Sequence, residues 1–162
     1  QAIPVFAIAP LLVLWLGYGM ASKVGMATLI IYFPVASSFL DGLRRTDPRW
    51  IDLAHTMTGS AKARPLAVLR YVRIPAAMPA LASGLRVAAA VAPIGAVVGE
   101  WVGSGAGLGY LMLQANARVQ IDLMFAALIT LATLAVGLYF SVDFILRRAV
   151  PWQPDTIPQT DS

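Results

Sequence analysis

The stretch "GEWVGSGAGLGYLM", residues 99–112, sets five glycines around one acidic side chain, Glu100. Glycine-rich loops can cradle a phosphate, because a backbone without Cβ atoms lets several N–H groups close on an anion. The register does not suit either familiar version. A G-x-G-x-x-G fingerprint begun at Gly103 would need its last glycine at Leu108, and one begun at Gly105 would need it at Tyr110. A Walker A loop ends in Gly-Lys-Ser/Thr, and this stretch holds no lysine. A phosphate cradle is therefore rejected.

Other chemistry is equally short of parts. The chain has no cysteine, which removes disulfides and thiolate metal sites, and its one histidine, His55, is too isolated to build a zinc site. The serines lack a neighbouring His–acid pair, so no catalytic residues are assigned and no enzymatic activity, metal or cofactor is expected. The charges inside apolar runs are Arg86, Glu100 and Asp143. Glu100 is a candidate pathway residue if it faces a solute route, or an interfacial carboxylate if it reaches water or backbone. Arg86 lies 14 residues earlier, about 21 Å along a helix, too far to pair with it. Arg86 is expected to snorkel toward the cytoplasm. Asp143 and Arg147 are i,i+4 neighbours, the spacing of a structural ion pair.

The elements that position these residues belong to a membrane protein. Of 162 residues, 59% are hydrophobic and 12% charged, with a mean hydropathy of +0.74; soluble domains carry about a quarter charged residues. Four apolar runs stand out, at residues 3–16, 24–40, 81–102 and 123–146. The first is shorter than the roughly 20 residues a spanning helix needs, and it starts abruptly at Gln1, without a basic segment or cleavage site. The chain is accordingly expected to begin inside a longer protein. The polar, proline-rich residues 151–162 read as a disordered tail after a transmembrane domain covering residues 1–150.

Seven of the twelve basic residues fall within 41–75, and Arg147-Arg148 close the last run. The positive-inside rule then makes 41–75 and the C-terminal end cytoplasmic, and the connections 17–23 and 103–122 external, over four alternating spans. The basic residues are not interleaved with aromatics, so nucleic acid is not expected as a partner. A basic juxtamembrane segment can also lie on anionic membrane lipid.

Glycines 95, 99, 103 and 107 recur every fourth residue, the small-xxx-small pattern of closely packed membrane helices. The first three would line one face of the third span against another helix or a second subunit. Beyond Gly103 the chain should turn and then form a short segment near the outer surface.

The long loop has structure of its own. Asp47-Pro48 reads as an N-cap followed by proline at the first helical position, and Trp50, Leu53, Ala54 and Met57 follow at helical spacing up to Gly59. A second amphipathic stretch carries Leu66, Leu69, Val72 and Ile74, after which Pro75 and Pro79 are expected to bend the chain into the third span.

An acidic–Ala helix, a glycine turn, a basic amphipathic helix and Ile-Pro entering a span resemble the cytoplasmic loop of ABC importer permeases. By that resemblance Asp52, Ala54, Gly59, Ile74 and Pro75 correspond to the family's coupling motif, with Leu53 interrupting it and fifteen residues, rather than about ten, between Gly59 and Pro75. Trp50, His55 and Met57 would then contact an ATP-binding cassette subunit. "GEWVGSGAGLGYLM" and "QAIPVFAIAPLLVLWLGYG" are similar to nitrate-, sulfonate- and taurine-type permeases. "GLRVAAAVAPIGAVVGEWVGSGAGLGYLM" is most similar to permeases assigned to hydroxymethylpyrimidine, a thiamine precursor. The resemblance implies an all-α, type I importer permease fold in the bacterial inner membrane, working as a homodimer. It implies two ATP-binding subunits docked on 41–75 and a periplasmic or lipoprotein solute-binding protein outside, with the glycine segment shaping an external gate. Its rivals are a proton-coupled secondary transporter relaying through Glu100 or Asp143, and a non-transporting membrane scaffold.

Overall fold

The computed structural model describes residues 5–57 and 65–152, and every regular element among them is helical. α1 spans Val5–Leu16, α2 Met20–Arg44 and α3 Pro48–Met57. After the undescribed stretch come α4, Pro65–Val68, a π-helical segment Leu69–Arg73, and α5, Ile74–Gly103. α6, Leu108–Ala117, and α7, Ile121–Ala149, complete the chain. Gly59 and the tail beyond residue 152 lie outside the described residues.

Three helices are long and apolar enough to cross a bilayer: α2, α7 and the continuous helix Leu66–Gly103. α1 covers the first apolar run with 12 residues, about 18 Å of helix, less than the roughly 30 Å of hydrocarbon. Among the described residues the four runs read from the sequence are thus helical, three of them at spanning length. Pro10, Pro34, Pro79 and Pro93 all sit inside helices without ending them, as membrane bundles allow when neighbours satisfy the freed backbone groups.

The entry to the third span departs from expectation. Residues 65–74 do not form a separate helix ahead of a bend; they run directly into α5. Pro75 cannot donate to the carbonyl one turn back, and its ring crowds that turn. The chain answers by widening: Ile74 N–H bonds to the Leu69 carbonyl, five residues back, so a π-turn absorbs the proline.

Packing inverts the order of a soluble core. The buried apolar residues are mostly small, among them Ala9, Ala77, Ala82, Ala88, Ala89, Ala115 and Ala127. Leu14, Trp15, Leu134, Phe140 and Ile145 face outward. Lipid solvates large apolar side chains as well as protein does, so association rewards close backbone approach instead. α2 and α5 form the principal pair, antiparallel and in close contact. Gly42 meets Ala77 and Ala80, Gly84 meets Pro34 and Ser38, Gly95 meets Ala27, and Gly99 meets Lys23. α1 packs on α2 and α5 at the far end, and α7 packs on α5 and α6.

Candidate functional site

Two ends of the bundle carry polar groups. At one, α5 stops at Gly103, where an added Cβ would fall 2.5 Å from the Val13 Cγ2 of α1. Ser104 is extended, and its hydroxyl donates to the Ala106 carbonyl and accepts from the Ala106 N–H. Gly107, at φ +134°, starts α6. Glu100 reaches back across this turn. Its Oε2 accepts the Gly109 N–H at 2.6 Å and the Tyr110 N–H at 3.4 Å, both orphan donors of the first turn of α6. The helix dipole favours the negative charge there. A Cβ on Gly107 would overlap the Glu100 carboxylate, and one on Gly109 would stand 3.0 Å from its Oε2. Gly107 is favoured both by its backbone conformation and by the carboxylate beside it, and Gly109 is crowded by the carboxylate and by the Val97 backbone. The glycine-rich turn does hold an acidic group, but the group is its own.

Two further bonds close this end. Trp101 Nε1 donates to the Gly109 carbonyl at 3.0 Å, and Lys23 Nζ of α2 donates to the Ala106 carbonyl at 3.2 Å. Gly95, Gly99 and Gly103 are buried against α2 and α1, while Gly107 belongs to the turn rather than to that helix face. Glu100→Ala should lower the stability of the purified chain by about 1 kcal/mol, the usual worth of an N-cap. Glu100→Gln, which keeps an acceptor, should cost less. Equal melting midpoints for Glu100→Ala and the unmodified chain in detergent would contradict the cap.

At the opposite end α2 terminates at Arg44, and the chain turns into α3. Asp47 Oδ1 accepts the Arg49 N–H at 2.9 Å, capping a helix that begins at Pro48. α3 carries Trp50, Asp52, Ala54, His55 and Met57. Trp50, Asp52 and Leu53 are exposed, Ala54 is half-buried, and Ile51 turns inward toward Leu40, Leu43 and Leu69. Ile74 and Pro75 begin α5 just beyond the π-turn. Gly59, assigned to the same motif, lies in the undescribed stretch.

Between the ends, α2 and α5 flank an open groove of about 700 Å³ that includes Tyr32, Phe33, Ser37, Ser38, Val91 and Ile94. Glu100 is not among its lining residues.

Arg86 differs from its expected solitary, snorkelling state. Its Nε lies 2.6 Å from Asp143 Oδ1 on α7, while Asp143 Oδ2 receives Arg147 Nε at 2.9 Å. The i,i+4 pair read from the sequence is present, and Arg86 joins it as a third member. The signal for that lay in depth. Arg86 stands 17 residues before the end of α5 and Asp143 stands 22 residues after the start of α7, so antiparallel helices bring opposite charges to similar levels.

These features define a helical, multi-pass membrane protein, with cationic turns at one end and a glycine turn at the other. The chain belongs to the family described as "binding-protein-dependent transport system inner membrane component", whose model matches residues 1–152. It is 65% identical over 150 residues to a "Probable ABC transporter permease protein" of Haemophilus influenzae, covering 93% of this chain and 60% of that one. It is 39% identical to the riboflavin transport system permease protein of Chloroflexus aurantiacus, over 94% of this chain and 56% of that one. It is 35% identical to the formylaminopyrimidine transport permease protein of Halalkalibacterium halodurans, over 94% of this chain and 60% of that one. The chain therefore spans about 60% of the length of these relatives. The family is one of membrane permease subunits rather than catalytic enzymes.

Proposed function

We propose that this chain forms part of the route by which an ATP-driven importer carries a small heteroaromatic solute, most closely a pyrimidine precursor of thiamine, across the inner membrane. The observation that carries the reading is α3, a capped helix held between two spans at the cationic end of a bundle whose family is that of binding-protein-dependent transport components. An ATP-binding subunit docked on α3 would transmit its closure through the short α3–π-turn contact into α5, because that turn and α5 are one continuous helix. Two copies of the permease would enclose the path, and an external solute-binding protein would deliver the cargo.

The cargo class is supported from two sides. Two relatives are named for nitrogen heterocycles, riboflavin and formylaminopyrimidine. The groove on α2 and α5 pairs aromatic faces, Tyr32 and Phe33, with the hydroxyls of Ser37 and Ser38. That combination suits a flat ring, which stacks on aromatic side chains and accepts or donates hydrogen bonds at its edge. The glycine turn capped by Glu100 would serve as the external gate, with Gly95, Gly99 and Gly103 holding it on α1 and α2.

Proteoliposomes containing the full-length permease, its ATPase and its binding protein should accumulate labelled hydroxymethylpyrimidine only with internal ATP. Preferential accumulation of taurine would overturn the cargo. Uptake without the ATPase that collapses with a protonophore would replace the motor with proton coupling, and ATP hydrolysis without any uptake would leave a scaffold.

A further inference from the structure

The cationic end of the bundle contains a second cavity, of about 530 Å³, that the transport reading does not use. It lies between the end of α2, the start of α3 and the π-turn, and its lining includes Leu40, Leu43, Ile51, Leu69, Arg44 and Arg73. The apolar residues and the two guanidinium groups come from separate elements brought together by the fold. Arg44 and Arg73 are both exposed, and neither makes an ion pair among the described residues. No carboxylate lines the cavity. Of the two carboxylates that adjoin its α3 wall in sequence, Asp47 is committed to the Arg49 N–H, and Asp52, next to Ile51, is exposed and outside the lining.

Depth fits an interfacial ligand. Leu40 is 20 residues from the start of α2, about 30 Å along the helix, which is the thickness of the hydrocarbon layer. Arg44 follows one turn later, at the level of the headgroups. The cavity thus offers apolar wall where acyl chains end and cations where phosphodiesters begin.

We propose that this cavity binds one anionic phospholipid, its phosphodiester held by Arg44 and Arg73 and the upper part of its acyl chains laid against Leu40, Leu43 and Leu69. The shared chemistry is a phosphate oxyanion, for which guanidinium supplies planar paired donors. The apolar half of the wall selects a lipid over a free phosphate. Basic pockets between spanning helices on the cytoplasmic side are a recurrent way to hold such headgroups. The lipid would brace the α2–α3 turn against the π-turn, and so steady the platform that the transport reading assigns to the ATPase. The inference rests on that reading only for the cytoplasmic orientation of this end.

Native mass spectrometry of the full-length permease in detergent, without its ATPase, tests the site. Titration with dioleoyl-phosphatidylglycerol should leave one retained lipid, favoured roughly tenfold over dioleoyl-phosphatidylcholine, since 1.4 kcal/mol of preference corresponds to that ratio. Arg44→Gln with Arg73→Gln should abolish the preference, the Lys pair Arg44→Lys with Arg73→Lys should keep most of it, and Arg118→Gln, outside the cavity, should keep all of it. If the double Gln variant does not fold, the two single variants carry the same expectation at half the loss in logarithmic terms.

Equal retention of the two lipids by the unmodified chain would overturn the proposal, as would a double Gln variant that still prefers phosphatidylglycerol. Displacement of the lipid by millimolar inorganic phosphate would make it a site for free phosphate instead. The chain has no cysteine, so Arg45→Cys labelled from either side of intact cells reports orientation separately. External labelling sinks the transport topology, whereas lost lipid preference with cytoplasmic labelling sinks only the lipid site.

Discussion

Gly84→Ala should destabilise the chain more than Gly99→Ala, and Gly84→Leu should prevent its stable accumulation in the membrane. Both glycines face α2 across the same interface, yet they differ in what a methyl group would meet. At Gly84 the new Cβ would lie 2.7 Å from the Ser38 Cβ and 2.8 Å from the Pro34 carbonyl oxygen. The second is backbone and cannot rotate away, so α2 and α5 must separate. At Gly99 the nearest atom is the Lys23 Cα at 3.2 Å, a crowding that a shift of a few tenths of an ångström relieves. Overpacking of this kind costs about 1–3 kcal/mol, with Gly84 at the upper end and Gly99 at or below the lower. Ser38→Gly should rescue Gly84→Ala only in part, because the Pro34 oxygen remains. Melting midpoints of the detergent-solubilised variants measure the order, and a Gly99→Ala loss equal to or larger than that of Gly84→Ala refutes it.

The same contact shows what the sequence could and could not tell. Small residues every fourth position along 95–103 announced a tight helix face, because backbone approach is what membrane packing rewards. The partner was not legible: it proved to be the preceding span and α1, and the interface continued through Gly84 to Gly42, which fall off the four-residue ladder. Helix positions were readable from apolar runs and from Asp47-Pro48, since both are local signals. The π-turn before Pro75 was missed because a proline reads as a break, whereas a π-turn lets the helix pass through it. On its own helix Arg86 has Glu100 as its only opposite charge within the apolar run, too far away to pair. Its partner Asp143 is 57 residues away in sequence, and only the antiparallel placement of α5 and α7 brings them together. Glu100 was the subtlest case. The sequence left it open between a solute route and an interfacial position reaching water or backbone, and the backbone N–H groups it accepts, those of Gly109 and Tyr110, became visible only in the geometry of the turn.

Trp50→Ala combined with Leu53→Ala should cut ATP-driven uptake at least tenfold and release the ATP-binding subunits on purification, with the permease itself left stable. These side chains sit three residues apart on α3 and are 62% and 51% exposed, while Ile51 and Ala54 supply the inward side of that short helix. An aromatic and an aliphatic side chain standing together on the outside of a capped helix form an anchor of the kind that dominates protein–protein contacts. Losing such an anchor costs about 2 kcal/mol or more, roughly 30-fold in affinity. The folded permease loses little, because surface positions of this kind contribute within about 0.5 kcal/mol. Anchorage in lipid would give the opposite pattern, an unchanged ATPase affinity and intact uptake with altered partitioning of α3 into vesicles. Co-purification of the subunits at undiminished yield, measured beside uptake on the same preparation, would remove α3 from the coupling path and leave the continuous helix from the π-turn to Gly103 without a drive.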